Sequence, residues 1–153
     1  MKDSAIWDHA NSTYGFFVRT TKQMELRRGR TLFGTYGPNF YLRIESELPP
    51  NGARLLSSQR RHDSKVWHDD SVEVWVAPSG KDEYYQLTMN PLGTVYDLRH
   101  YRSGKIPDET WTNKWKKANI LDKKKNMWIA EFEIPVKELD PNGKGFKILV
   151  SRN

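Results

Sequence analysis

An all-β fold, an antiparallel β-sandwich with jelly-roll or immunoglobulin-like layers, is the class this sequence predicts, on three observations. Apolar residues recur at every second position in several short runs, the pattern of strands with one buried face. Turn-forming residues punctuate those runs at hairpin spacing. No segment carries a sustained apolar stripe at helical spacing. The runs belong to a single domain spanning residues 1–153.

The first run is 40–47, where Phe40, Leu42 and Ile44 oppose Tyr41, Arg43 and Glu45 before the breaker Leu48-Pro49-Pro50-Asn51-Gly52. In 71–76, Val72, Val74 and Val76 take one face, and Ser71, Glu73 and Trp75 the other. Pro78-Ser79-Gly80 closes it. Residues 84–90 follow, with Tyr85, Leu87 and Met89 inward and Tyr84, Gln86, Thr88 and Asn90 outward. Asn90-Pro91-Leu92-Gly93 has the composition of a hairpin turn, and the return strand covers 94–100. A loop through Ser103-Gly104-Lys105-Ile106-Pro107 leads to strands at 116–121 and 127–134, joined by Asp122 to Asn126. In the second of these Trp128, Ala130, Phe132 and Ile134 share the buried face, while Glu131 and Glu133 read as the solvent side of an edge-like strand. Residues 135–139 suit one helical turn, and Phe146, Ile148 and Val150 alternate in a final strand.

Composition narrows the function. Aliphatic residues are sparse, but 6 Trp, 7 Tyr and 6 Phe supply enough apolar area for a core, which excludes intrinsic disorder. No stretch is long and apolar enough to span a membrane. With no cysteine there is no disulfide, thiolate nucleophile or cysteine metal site. Net charge is +6, but the basic clusters (Arg27, Arg28 and Arg30; Arg60 and Arg61; Lys116 and Lys117; Lys123 to Lys125) fall in separate loop-like stretches. They therefore read as solvated turns and edges, and nucleic acid is not the expected partner. Met1-Lys2-Asp3-Ser4 has no apolar h-region, so no signal peptide is expected there.

On the outward face of the strands at 71–76 and 84–90 stand Glu73, Trp75, Gln86, Thr88 and Asn90, with Trp67 at the rim. A carboxylate and amides exchange paired hydrogen bonds with vicinal hydroxyls, and an indole packs on the C–H face of a sugar ring. Such a face suits a neutral polyhydroxylated ligand. The element Trp67-His68-Asp69-Asp70-Ser71-Val72-Glu73-Val74, the 84–93 hairpin, the WIAEFEIP run at 128–135 and the strand at 145–150 together resemble the family 9 carbohydrate-binding modules. The resemblance covers the chain from about Phe40 onward.

The resemblance implies a non-catalytic β-sandwich accessory module of a larger, bacterial, extracellular or periplasmic polysaccharide-active or cell-surface protein, with a carbohydrate as its ligand. It implies stacking by Trp67 and hydroxyl contacts from Glu73 and Asn90, supported by Gln86. Two features depart from the pattern. Thr88 stands where the family has arginine, and the family's closing strand and second stacking tryptophan lie beyond the equivalent of Val150. The sandwich is thus expected to lack its last strand, with Trp111 or Trp115 as a substitute second ring.

His62, Asp63, His68, Asp69 and Asp70 combine ligand types for a divalent cation, but with neither an HExxH spacing nor a D-x-D-x-D run. Asp69 and Asp70 equally suit capping of backbone N–H groups where the strand begins. No metal is assigned from them, and no cofactor is expected. Structural calcium, which the resemblance implies, finds no matching ligand set. No nucleophile elbow, P-loop or dinucleotide fingerprint is present, so no enzyme is indicated. The alternatives are a structural or protein-interaction domain of a secreted protein, and a haem-binding electron-transfer domain of the same fold.

Overall fold

The computed structural model describes residues 5–16, 21–25, 27–102 and 104–153. Residues 1–4, read above for a leader, and Ser103 of the loop lie outside the described residues. The chain opens with the helical turn α1 (Ala5–Asp8) and strands β1 (Asn11–Tyr14), β2 (Gly29–Tyr36) and β3 (Asn39–Glu47). A long connection leads to β4 (Val72–Pro78), β5 (Glu83–Met89), β6 (Val95–Tyr101) and β7 (Ile106–Asp108). Then come β8 (Lys116–Asp122), β9 (Met127–Pro135), the turn α2 (Val136–Leu139) and β10 (Phe146–Arg152).

The strands form two antiparallel five-stranded sheets, in the orders β1-β2-β3-β9-β8 and β10-β4-β5-β6-β7. They pack as a sandwich, the predicted class. The alternation explains why. Leu42 and Ile44 of β3 and Trp128, Phe132 and Ile134 of β9 meet Val74 and Val76 of β4 and Leu87 of β5 in one buried cluster. Trp128 keeps its polar atom satisfied, Nε1 donating to Asn119 Oδ1 at 2.5 Å. Met89 is buried in this same cluster, on the inward side expected of it.

Two local expectations are corrected, and a segment given no reading adds two strands. The loop at 103–107 contributes a short strand, β7, paired to β6 through Arg99 and Asp108. The segment before residue 40 contributes β1 and β2, which extend the first sheet beyond β3. Finally, β9 is not an edge strand but lies between β3 and β8. Glu131 is accordingly only 1% exposed and pairs with Arg43 Nη1 at 3.1 Å. Arg43 also binds Glu45 at 2.7 Å and lies over the Trp7 ring of α1, 5.7 Å from its centroid.

Among the described residues no helix is long and apolar enough to cross a membrane. The basic clusters stand on separate elements. Arg28 pairs with Glu47 before β2, whereas Lys116 pairs with Glu133 at the other edge of the sheet.

Candidate functional site

The outward side of the second sheet is set by its register. Glu73 lies between Ser151 of β10 and Thr88 of β5, and Thr88 faces Tyr96 of β6. One row along, Trp75 lies between Leu149 and Gln86, and Gln86 faces Leu98. The pleat therefore brings Glu73, Trp75 and Gln86 to one face, as expected.

Trp67 joins them from the connection. It sits in a 3-10 turn, Val66–His68, whose first residue is fully buried and which packs against β5. The indole meets the Tyr96 ring edge-on, centroids 4.7 Å apart at 73°, which holds it upright. At 42% exposure it is the most exposed of the six tryptophans. Burial, with the nearby charges of Glu109 and Asp63, pushes the Tyr96 phenol above its ordinary pKa, so it stays neutral.

The polar groups beside it are pre-oriented. Ser151 Oγ donates to Glu73 Oε2 at 3.3 Å. Gln86 Oε1 lies 3.2 Å from His100 Nε2. Burial lowers the His100 pKa below its ordinary 6.5, so the ring is neutral at pH 7 and, protonated on Nε2, donates to the amide oxygen. That leaves the Gln86 amide hydrogens for a ligand. His100 itself stacks on Tyr84 at 4.2 Å and 21°, and on Trp75 at 6.2 Å and 26°. A Cβ on Gly104, at φ +91°, would come within 2.6 Å of the Tyr84 hydroxyl, so glycine there protects this stack. Tyr96 and His100 were missing from the sequence reading. The outward positions of 94–100 alternate with the buried Val95 and Asp97, and that alternation is the signal that identifies them.

Two predicted residues do not join the face. Asn90 is fully buried, one residue past the end of β5. Its Nδ2 donates to Gln59 O and Asp69 Oδ2, both at 2.8 Å, while Oδ1 accepts from the N–H of Leu92 at 3.0 Å and of Thr94 at 2.9 Å. Four bonds saturate the amide, so it serves the turn and has nothing left for a sugar hydroxyl. Trp111 lies on the other side of β5. It stacks on Tyr85 at 4.9 Å and 25° and meets Trp115 edge-on, and Tyr85 projects oppositely to Gln86. Trp115 is buried in the core. Neither ring stands opposite Trp67. Thr88 is also buried, with its hydroxyl unpartnered, which removes it from the open face.

Trp111 instead helps to line a separate cleft of about 380 Å³ with Tyr85, Trp115, Glu83, Lys81 and Lys137. There Tyr85 donates to Glu83 at 3.1 Å, and burial followed by the Glu83 charge pushes its pKa up to about 12.

The acidic residues beside Trp67 are engaged by the chain. Burial alone would raise the Asp69 pKa. The N–H groups of Ser58 and Gln59, with Ser58 Oγ and Asn90 Nδ2, more than reverse this and bring it to about 2. Asp70 accepts from Leu56 N at 2.6 Å and pairs with Arg152 at 2.7 Å. Asp69 thus ties two consecutive backbone N–H groups of the connection, and with Asp70 it closes this end of the sandwich around Trp67.

No protein-family model matches this chain, and no curated protein matches it. The crystal structure of a candidate carbohydrate-binding protein from Bacteroides uniformis is similar to it, with a TM-score of 0.72 and 15% identity over 95% of this chain and 72% of that one. At that identity the likeness shows a shared fold.

Proposed function

We propose that this chain is a non-catalytic carbohydrate-binding module that holds a neutral saccharide on the outward face of its second sheet. Trp67 stacks on a sugar ring, Glu73 accepts from its hydroxyls, and the Gln86 amide donates to a neighbouring oxygen. The observation that carries the reading is the exposed, Tyr96-braced Trp67 at the border of a face bearing a carboxylate and an oriented amide. The Bacteroides uniformis protein of the same fold supports it. A module of this kind acts within a larger extracellular or periplasmic protein by raising the local concentration of its partner domain at a polysaccharide.

One stacking ring without a second opposite predicts weak binding, with a Kd on the order of 1 mM, about −4 kcal/mol. The test is a glycan array followed by affinity electrophoresis of Trp67→Ala. The expected result is loss of retention, roughly tenfold or more, with an unchanged circular dichroism spectrum. Full retention by the folded variant overturns the assignment. Binding only to polyanions, weakening steeply with salt, favours the protein-interaction alternative.

A further inference from the structure

We propose that His62 and Asp97, with Asp63 holding the imidazole from behind, bind a divalent transition-metal ion of the Zn²⁺ or Mn²⁺ type. The three come from two distant stretches of chain. The β3–β4 connection runs back along β6, where Asp63 N donates to Val95 O at 2.9 Å and sets His62 and Asp63 beside Asp97. One ligand atom from each residue lies within 4.8 Å of the other two.

Asp97 is the observation that points to a cation. Its side chain is 0% exposed. Oδ2 is satisfied by Asn113, which donates from both its backbone N–H, at 2.7 Å, and its side-chain amide. Oδ1 is buried and accepts no hydrogen bond among the described residues. It is aimed at His62 Nε2, 3.3 Å away. An anionic oxygen cut off from water requires a positive partner.

The imidazole is already held in the orientation a metal needs. Its Nδ1 lies 2.8 Å from Asp63 Oδ2, the place of the carboxylate that receives the second ring N–H in metal-bound histidines. With Nδ1 protonated, the Nε2 lone pair faces the Asp97 Oδ1 lone pairs, an arrangement that repels until a cation stands between them. Two ligands bound at about 2.0–2.1 Å to a tetrahedral ion stand about 3.4 Å apart, close to the separation found. An imidazole beside one carboxylate suits zinc or manganese better than calcium, which takes an all-oxygen set. His62 is 46% and Asp63 41% exposed, so the ion enters from solvent and water completes its shell. Lys117 donates to Asn113 Oδ1 at 2.9 Å and acts on Asp97 through its charge, with no hydrogen bond to Oδ1 among the described residues.

The test is calorimetric titration of the chelator-treated chain with ZnCl₂, MnCl₂ and CaCl₂ in separate runs, without saccharide, so that its outcome is independent of the sugar reading. The expected result is one equivalent of zinc or manganese bound, a rise in Tm, and movement of the His62 ring signals in NMR. Affinity falls tenfold or more in His62→Ala and in Asp97→Asn. If Asp97→Asn fails to fold, His62→Ala, altered at an exposed ring, decides alone. Binding by calcium alone, equal affinity in His62→Ala, or ring signals indifferent to zinc overturns the proposal.

Discussion

Asn90 illustrates how one side chain can look like a ligand and be a rivet. Its amide joins the hairpin turn to Asp69 and Gln59 by two bonds and closes the turn by two more, so replacing it by alanine takes one partner from the buried Asp69 carboxylate and leaves the Leu92 and Thr94 N–H groups without theirs. The expected cost of Asn90→Ala is about 3 kcal/mol, read as a lower urea midpoint, with saccharide affinity per folded molecule unchanged. A variant of full stability that no longer binds sugar contradicts this and restores Asn90 to the face. The sequence placed Asn90 outward because the alternation was carried one residue too far. The strand ends at Met89, and past it the turn, with Gly93 at φ +79°, aims side chains irrespective of the pleat. Trp67, Glu73 and Gln86 were legible because each sits on or beside a strand whose alternation is unbroken. The partners of Trp67 and Gln86, Tyr96 and His100, stand on the return strand of the hairpin read at 84–100, whose outward alternation was not followed to the face.

At the scale of elements, β9 shows what neighbours do to a strand. Flanked by β3 and β8 on either side, it carries Glu131 into a site where Arg43 is its guanidinium partner. Removing one member of a buried pair is far more costly than removing both, because the survivor keeps its charge without compensation. Arg43→Ala is therefore expected to lose about 3–5 kcal/mol in urea unfolding, and the double replacement Arg43→Met with Glu131→Leu to recover much of it. Equal losses in the single and the double variant contradict that account. The same logic explains which strands were readable. In β3, β4 and β9 the core-facing positions are apolar, Ser46 at the end of β3 apart, and recur at every second residue. In β2 the pattern is inverted locally, with Thr31 on the core side, Leu32 buried on the outer side, and glycine at 29 and 34. β7 is three residues long and contains Pro107, too short for any periodicity.

For the whole molecule, protonation equilibria predict an acid limb in two stages. His100 is lowered below 6.5 by burial, so the unfolded chain binds its proton more readily than the folded one. Stability accordingly falls as pH drops through 6.5 and stops falling once pH is below the folded value. Asp69 behaves in the same direction but lower on the scale. Its folded pKa is about 2 against an ordinary 3.8, so its contribution is complete above 3.8 and disappears as pH falls toward 2. Glu47, bonded by Arg28, and Asp108, bonded first by Thr110 and then by Arg99, are lowered too and add to this second stage. The urea midpoint should be flat above about pH 7, decline gently just below 6.5, and decline again below about 4. His100→Gln should abolish only the upper decline, since glutamine does not titrate. An unchanged slope between pH 5 and 6.5 in that variant would place the upper stage elsewhere. The two stages also separate the two ends of the candidate face. His100 orients Gln86 through its neutral ring, whereas Asp69 secures the connection that carries Trp67. Saccharide binding should therefore weaken at the Gln86 end first on acidification, while the Trp67 end persists until the fold itself begins to open.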